Sequence, residues 1–340
     1  MRKGLLIIWL LGFLHSGVAY GQSIHFSQYY NAPLLLNAAN TALMPEDDMR
    51  IGLNYRNQWS ALPVPFNTFS AWADFKIGSN ASEERHNWLG LGFAFFSDKA
   101  GDGNLSLNQA QGNLAYHLHM GQTAMLSLGL SGAYVQRAVN YDNLTFDMQW
   151  DGHVFNTNLA NGEKVGIMKT SYYTVAAGAN LAWFPNEAVY CKLGGVVANI
   201  NTPEESFYNG PNRIAMRPMM NLDVLIRTSN IVIINPSVYY SMQKGAAELV
   251  AGSQVRTLLS DNGDIPKQLI LGLYMRVNDA FIGVAGMEIG NVQIMANYDM
   301  TMSSLAPYNA SYGALELSLI YHRPYLKNYG IKSMYSCPRF

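Results

Sequence analysis

Charge is what this chain has least of. Asp, Glu, Lys and Arg make up 13% of its 340 residues, about half of the ~25% usual in soluble domains. The net charge is −1, so composition offers no cationic surface to a polyanion, and no nucleic-acid partner is expected. Cysteine is nearly absent. Cys191 and Cys337 are the only two, too few and too far apart for a disulfide framework. Cys191 falls in a strand pattern and Cys337 near the end of the chain, so both are read as unpaired. Past the first residues, no uninterrupted apolar run is long enough for a helix to cross a bilayer.

What is present is apolar and aromatic. Hydrophobic residues reach 49% and aromatics 12%, with 21 Tyr and 30 Gly. Arg2 and Lys3 precede a nearly continuous apolar stretch over residues 5–14, and Ala19-Tyr20-Gly21 puts small residues two apart before Gln22. That is the pattern of an export leader, residues 1–21, cleaved after Gly21; its apolar core is too short to span a membrane. No Cys stands at the cut site, which excludes the lipid attachment of bacterial lipoproteins. In hydrocarbon every backbone N–H and C=O must be paired within the protein, so an exported chain without spanning helices crosses only as a closed sheet. The fold class expected is all-β, a transmembrane outer-membrane β-barrel surrounded by lipid.

Such a wall alternates apolar with polar or small residues along segments of about ten. In VQIMANYD (292–299) Val292, Ile294, Ala296 and Tyr298 oppose Gln293, Asn297 and Asp299. In GALELSLIYH (313–322) Leu315, Leu317, Leu319 and Tyr321 oppose Glu316, Ser318 and His322. Tyr173 and Trp183 begin and end an apolar face, where interfacial aromatic girdles belong. About fourteen such segments can be placed, near 50–57, 67–77, 88–97, 104–118, 124–137, 170–184, 188–200, 217–228, 231–243, 247–258, 268–277, 280–289, 292–300 and 311–322. They give a barrel over 50–322, an N-terminal segment 22–49 and a periplasmic tail 323–340. Pro236 lacks a ladder donor, so 231–243 is expected to carry a bulge or lie edge-like. An even strand count predicts both chain ends on the periplasmic side, with short turns there and longer loops such as 138–169 and 201–216 outside. The segment 259–267 and Asn278-Asp279 break that rule.

The same register turns Arg50, Arg56, Asp74, Lys76, Arg137, Asp223, Arg227, Glu248, Arg256, Arg276, Asp299 and Glu316 away from lipid. Arg or Lys on the lipid face at the midplane would cost roughly 2–4 kcal/mol. Two uses are open to these groups: mutual pairing that fills and stiffens the barrel, or a selective pathway or docking surface. Mixed signs speak against a selectivity ring.

Catalytic and metal chemistry are thinly supported. His117 and His119 share a strand face, but a third ligand would have to come from another strand, and a solvated strand end suits them as well. DKAGDGN (98–104) lacks the spacing and closing Glu of a calcium loop and reads as a tight external turn, with Gly101 and Gly103 at positive φ. Asp47-Asp48 has no His beside it, and no Ser-His-Asp set is legible. No cofactor and no enzyme activity are expected.

Residues 25–43, HFSQYYNAPLLLNAANTAL, fit neither period. FSQYYNAPLLLN, followed by Ala38-Ala39-Asn40-Thr41 and RIGLNYRNQW (50–59), resembles the start of the PorP/SprF family of the type IX secretion system. NWLGLGFAFFSDKAGDGNLSLNQAQGNLAYHL (87–118), TFDMQWDG (145–152) and ESFYN (205–209) extend the resemblance over nearly the whole chain beyond the leader. Ala38 and Ala42 stand where the family usually has Pro and Gly, which relaxes the turn there. The resemblance implies an outer-membrane barrel of Bacteroidota-type bacteria. It implies one of two roles: partner of a secreted cargo or adhesin, or core component touching periplasmic lipoproteins or an OmpA-like peptidoglycan-binding protein, with gliding a further outcome. A channel for small or hydrophobic solutes is the alternative. Residues 22–49, with Phe26, Tyr29, Tyr30, Leu34, Leu35 and Leu36 buried, would plug the lumen or lie flat on the periplasmic rim. Phe146, Trp150 and Phe155 in loop 138–169 would contact cargo, or fold onto the barrel's own mouth.

Overall fold

A computed structural model describes residues 26–44, 47–59, 65–78, 87–101, 103, 105–140, 144–156, 158–162, 166–208, 210–260, 265–303 and 312–323. The leader with its cut site, Asp102, Asn104, most of the 301–310 loop and the tail from 324, with Cys337, lie outside the described residues. Fourteen strands form one closed antiparallel barrel. They are β1 (Met49–Gln58), β2 (Phe66–Ile77), β3 (Trp88–Ala100), β4 (Leu105–His119), β5 (Ala124–Asn140), β6 (Ile167–Asn186) and β7 (Val189–Ala198). The circuit continues with β8 (Arg217–Arg227), β9 (Val232–Gln243), β10 (Ala246–Ser260), β11 (Lys267–Arg276), β12 (Ala280–Ile289), β13 (Val292–Thr301) and β14 (Tyr312–Arg323). Closure is complete: β1 pairs with β14 from Met49↔Arg323 to Gln58↔Ala314. A sheet without edges leaves no unpaired ladder to face lipid.

Alternation decides what faces where. On β14 Leu315, Leu317 and Leu319 are exposed, while Glu316 and Ser318 between them are buried. On β13 Ile294 and Tyr298 look outward, and Gln293, Asn297 and Asp299 inward. Tyr173 and Trp183, both exposed on β6, bound the apolar band. Ten residues at ~3.4 Å, tilted by about 40°, give a band about 26 Å tall, close to the ~25 Å of outer-membrane barrels. β5 and β6 continue above it to Asn140 and from Ile167, a hairpin taller than its alternation alone marked.

Most connections after even strands are short, as at 120–123, 187–188, 228–231 and 290–291, with 78–87 after β2 a longer exception; the longest, 141–166 and 199–216, follow odd strands. The first set defines a turn end and the second a loop end. The β9–β10 connection is a two-residue exception at the loop end, where Lys244 (φ 47°) and Gly245 (φ 85°) both adopt left-handed backbone, the conformation that matches hairpin twist.

Pro236 corrects one expectation. It neither bulges nor lies at an edge, because the barrel has none. β9 keeps its register with β10 through Pro236↔Ser253. Its pairing with β8 is interrupted between Asp223↔Ser237 and Ile226↔Ile234 without a shift. The side-chain amide of Asn235 donates to the Val224 carbonyl at 2.8 Å, so a side chain stands in for the ladder donor that proline lacks. Replacing Asn235 with Leu should strand that carbonyl and cost about 1–3 kcal/mol. The check is the urea midpoint of the detergent-refolded barrel.

Candidate functional site: a filled lumen and an external mouth

Residues 26–44 occupy the lumen as three short turns, Tyr29–Asn31, Pro33–Leu36 and Ala38–Asn40. Irregular backbone inside a barrel needs partners from the wall, and here the amide side chains provide them. Near the loop end, Ser27 N–H donates to Glu316 (2.6 Å) and its hydroxyl to Asp299 (2.5 Å), while Arg56 (2.7 Å) and Arg276 donate to the same oxygen. Gln28 donates to Asn297 and accepts from Ser318 at 2.7 Å. Tyr29 stacks on Tyr239 at 5.1 Å and donates to Ser237 (2.9 Å); Tyr30 stacks on Tyr274 at 5.7 Å.

Lower in the wall, the Asn31 carbonyl accepts from Asn54 and Trp72, each at 3.0 Å. Asn37 donates to Asn180 at 3.0 Å. At the turn end the Thr41 carbonyl accepts from His117 Nε2 (2.8 Å), the Ala42 carbonyl from Trp88 (2.9 Å), and Ala42 N–H donates to Asp74 (2.6 Å). The chain then leaves the lumen beside Lys76 and Arg323, whose backbones bond that of Asp48. Of the singled-out residues, Phe26, Tyr29, Leu34 and Leu36 are buried, and Tyr30 and Leu35 half-buried. Phe26 meets Phe96 edge-on at 6.0 Å.

An even strand count places the start of β1 and the end of β14 at the turn end, and the segment ahead of β1 climbs the lumen, with Phe26, the first described residue, in the loop-end half. One expectation needs correcting. His117 is not a solvated strand end. It is fully buried, stacks on Trp88 at 4.8 Å, and bonds Ser127 through Nδ1 at 2.7 Å. A carbonyl can only accept, so Nε2 carries the proton and Nδ1 accepts from the hydroxyl, which uses both nitrogens.

Three wall glycines face the plug's backbone or an amide. A Cβ on Gly90 would strike the Thr41 carbonyl, on Gly129 the Ala38–Ala39 backbone, and on Gly178 the Asn37 amide oxygen. Gly129 and Gly178 are cross-strand partners, so the wall is hollowed where Asn37 and Ala38 press against it.

The inward charges pair with opposite signs. Arg56 bridges Asp299 (3.0 Å) and Glu316; Arg276 bridges Glu248 (3.1 Å) and Asp299 (3.3 Å). Arg50 bonds Asp74 at 2.6 Å, Arg137 bonds Glu205 at 3.1 Å, and Arg256 lies 3.7 Å from Glu288. Asp223 meets Lys192 at 3.3 Å. Arg227, half-buried near the turn end of β8, makes no ion pair with another described residue. Ser27, Lys192 and Glu288 lie outside the expected set. Carrying the inward parity of Tyr190 to Lys192 and of Val284 to Glu288 would have found the last two. Nothing in the alternation marks Ser27.

Above the plug a cavity of about 260 Å³ opens at the loop end, floored by residues 34–38 and walled by Phe96, Gln109, Arg137, Tyr172, Arg217 and Met219. Beside this mouth, residues 144–156 of the long loop are held by their own bonds. Gln149 is buried, and Asp151 accepts the amides of Val154 and His153 at 2.9 Å, contacts that hold its carboxyl below the usual range. Trp150 and Phe155 form a bridge with rings 5.0 Å apart, each 49% exposed, with Met148 and Val154 exposed beside them. Phe146 is half-buried.

Residues 18–321 match the profile of a family described as type IX secretion system membrane protein PorP/SprF. No curated protein sequence matches significantly. Among solved structures, the toluene transporter TbuX of Ralstonia pickettii is similar with a TM-score of 0.53 at 8% identity, over 87% of this chain and 94% of that one. The toluene transporter TodX of Pseudomonas putida gives 0.52 at 7%, over 89% and 95%. A Pseudomonas aeruginosa FadL homologue gives 0.50 at 9%, over 86% and 94%. At such identities the likeness is one of barrel fold alone.

Gly129→Val should force the plug from its seat and cost about 1–3 kcal/mol. Gly132→Val, on the lipid face with open space around it, should be neutral in the same urea titration. Arg56→Met leaves the buried Glu316 carboxylate without a cation, while Asp299 keeps Arg276, and should cost about 3–5 kcal/mol, read as a lower urea midpoint.

Proposed function

This chain belongs to the type IX secretion system membrane protein PorP/SprF family, and from that premise we propose that it works by binding proteins rather than by conducting solutes or catalysing a reaction. The outer membrane is its place, by fold and family. The observation that carries the reading is the filled lumen. Twelve residues from Ser27 to Met44 are buried at 4% exposure or less, and the plug is bonded to the wall from Ser27 to Ala42. A barrel so occupied acts through its two ends. At the loop end, Trp150 and Phe155 form a fixed aromatic pair above a polar-walled cavity, a surface suited to anchoring a secreted polypeptide. At the turn end, the closing strands and short hairpins offer a rigid footing for a periplasmic lipoprotein or a peptidoglycan-binding partner. The cargo is a secreted surface protein, retained or passed on at the cell surface; where that cargo is an adhesin, the outcome is gliding.

The solute-channel reading rests on neighbours named as toluene transporters. Their likeness extends to the fold, while the plug of this chain is held by hydrogen bonds to buried charged and amide side chains of the wall. The double variant Trp150→Ala/Phe155→Ala should fold normally by heat-modifiable migration, yet lose about tenfold or more of the secreted protein that co-purifies from native outer membranes. Retention of that protein, or a large single-channel conductance from the intact barrel in planar bilayers, would turn the reading toward transport.

A further inference from the structure

We infer that the outer wall of β3–β6, just above the apolar band, is a seat for one phosphorylated glycolipid of the outer leaflet, with Lys99 and Lys169 each holding a phosphate at one end of its sugar headgroup. The lipid side of the barrel carries charge of one sign. Among the described residues, every carboxylate of the strands faces inward, from Asp74 on β2 to Glu316 on β14. The outward charges of the strands are cations: Lys99 and Lys169 at the loop end, Lys267 and Arg323 at the turn end, all exposed. Hydrocarbon selects no such bias, whereas anionic headgroups do.

The loop-end pair is not part of an even girdle. Tyr134 and Tyr173, with rings 5.3 Å apart, close the apolar band on β5 and β6, and Phe95 is exposed on the same cross-strand row. One outward row higher stand Ser97, Asn108, Gln136 and Ser171, where the Ser97 hydroxyl donates to Asn108 at 2.8 Å. The next outward row is Lys99, Ser106, Ala138 and Lys169. Across β9, β11, β12 and β13 the loop end stays apolar instead, with Met242, Met275, Phe281 and Met300 exposed. The cationic shoulder thus belongs to one side of the barrel, where β5 and β6 rise above the band.

Spacing narrows the occupant. Lys99 and Lys169 stand three strands apart, about 14 Å at the ~4.8 Å spacing of a sheet, and neither makes an ion pair with a described residue. A disaccharide carrying a phosphate at each end bridges such a gap, with its hydroxyls over Ser106, Asn108 and Gln136. A lipid with a single phosphate reaches one lysine only. Beneath the tyrosine row, Gly112 and Gly132 are cross-strand neighbours with open space outside them, a shallow hollow flanked by the exposed Phe93 and Val175. Acyl chains descending from the headgroup lie there. The inference is independent of which proteins bind the barrel.

The test refolds the full chain in detergent and counts bound lipid by native mass spectrometry during titration with purified diphosphoryl lipid A. The unaltered barrel should retain one molecule. Lys99→Gln/Lys169→Gln, folded by heat-modifiable migration, should bind about tenfold or more weakly. Lys99→Arg/Lys169→Arg and the turn-end variant Lys267→Gln should both bind as the unaltered barrel does. Lipid A stripped of its phosphates, and phosphatidylglycerol, should bind the unaltered barrel as weakly as the Gln pair binds lipid A. Undiminished binding by the Gln pair, or an equal loss in Lys267→Gln or in the Arg pair, overturns the site. Equal binding of the dephosphorylated lipid or of phosphatidylglycerol overturns the assigned ligand.

Discussion

Every backbone polar group that faces lipid must find its partner within the chain, and the unbroken pairing of β1 with β14 is where that demand is finally met. An open sheet of this length would expose two unpaired ladders to hydrocarbon, each orphan group costing several kcal/mol. Closure removes both at once, and it also creates an interior. Much else about the molecule answers the question of what fills that interior.

A fourteen-strand barrel is too wide for its wall side chains to meet across the lumen. The chain fills the gap with its own preceding segment, and that segment is polar in backbone and carries Ser27, Gln28, Asn31, Asn37 and Asn40. Such material is stable away from water only when its donors and acceptors are matched. The wall meets this need in two ways. Charged and amide side chains point inward wherever the plug offers backbone, as Asp74 does to Ala42 and Asn54 to Asn31. Glycines remove side chains where the backbones come closest, as at Gly90 and Gly129. The ion pairs around Ser27 serve the same end: Arg56 and Arg276 are tolerable in the interior because Asp299, Glu316 and Glu248 surround them, and the hydroxyl joins both guanidiniums to one carboxylate. The plug is thereby tied to β1, β14 and β13 at the seam and, through Arg276, to β11.

Much of this was legible in the linear chain, for reasons that differ by feature. Strand identity was legible because lipid and lumen impose opposite chemistry at a spacing of two, so VQIMANYD and GALELSLIYH could be oriented without coordinates. The inward charges followed from the same parity. Pairings were not legible: Arg56 finds Glu316 across 260 positions of sequence, and no local rule links them. Pro236 misled because its cost was judged without knowing that Asn235 reaches the carbonyl left unbonded. His117 misled because strand ends are solvated only when nothing lies behind them, and here Thr41 does. The direction of the plug was illegible too, since alternation carries no information about a segment that has none.

The sequence by itself determined the wall: its strand count, its two faces and the place where apolar surface stops at Tyr173 and Trp183. These depend on side-chain chemistry repeated at short range, which each segment carries independently. Only the tertiary structure decided what lies within that wall and which way it runs. A filled lumen is a property of residues brought together from both ends of the chain, and closure of the cylinder is the event that brings them there.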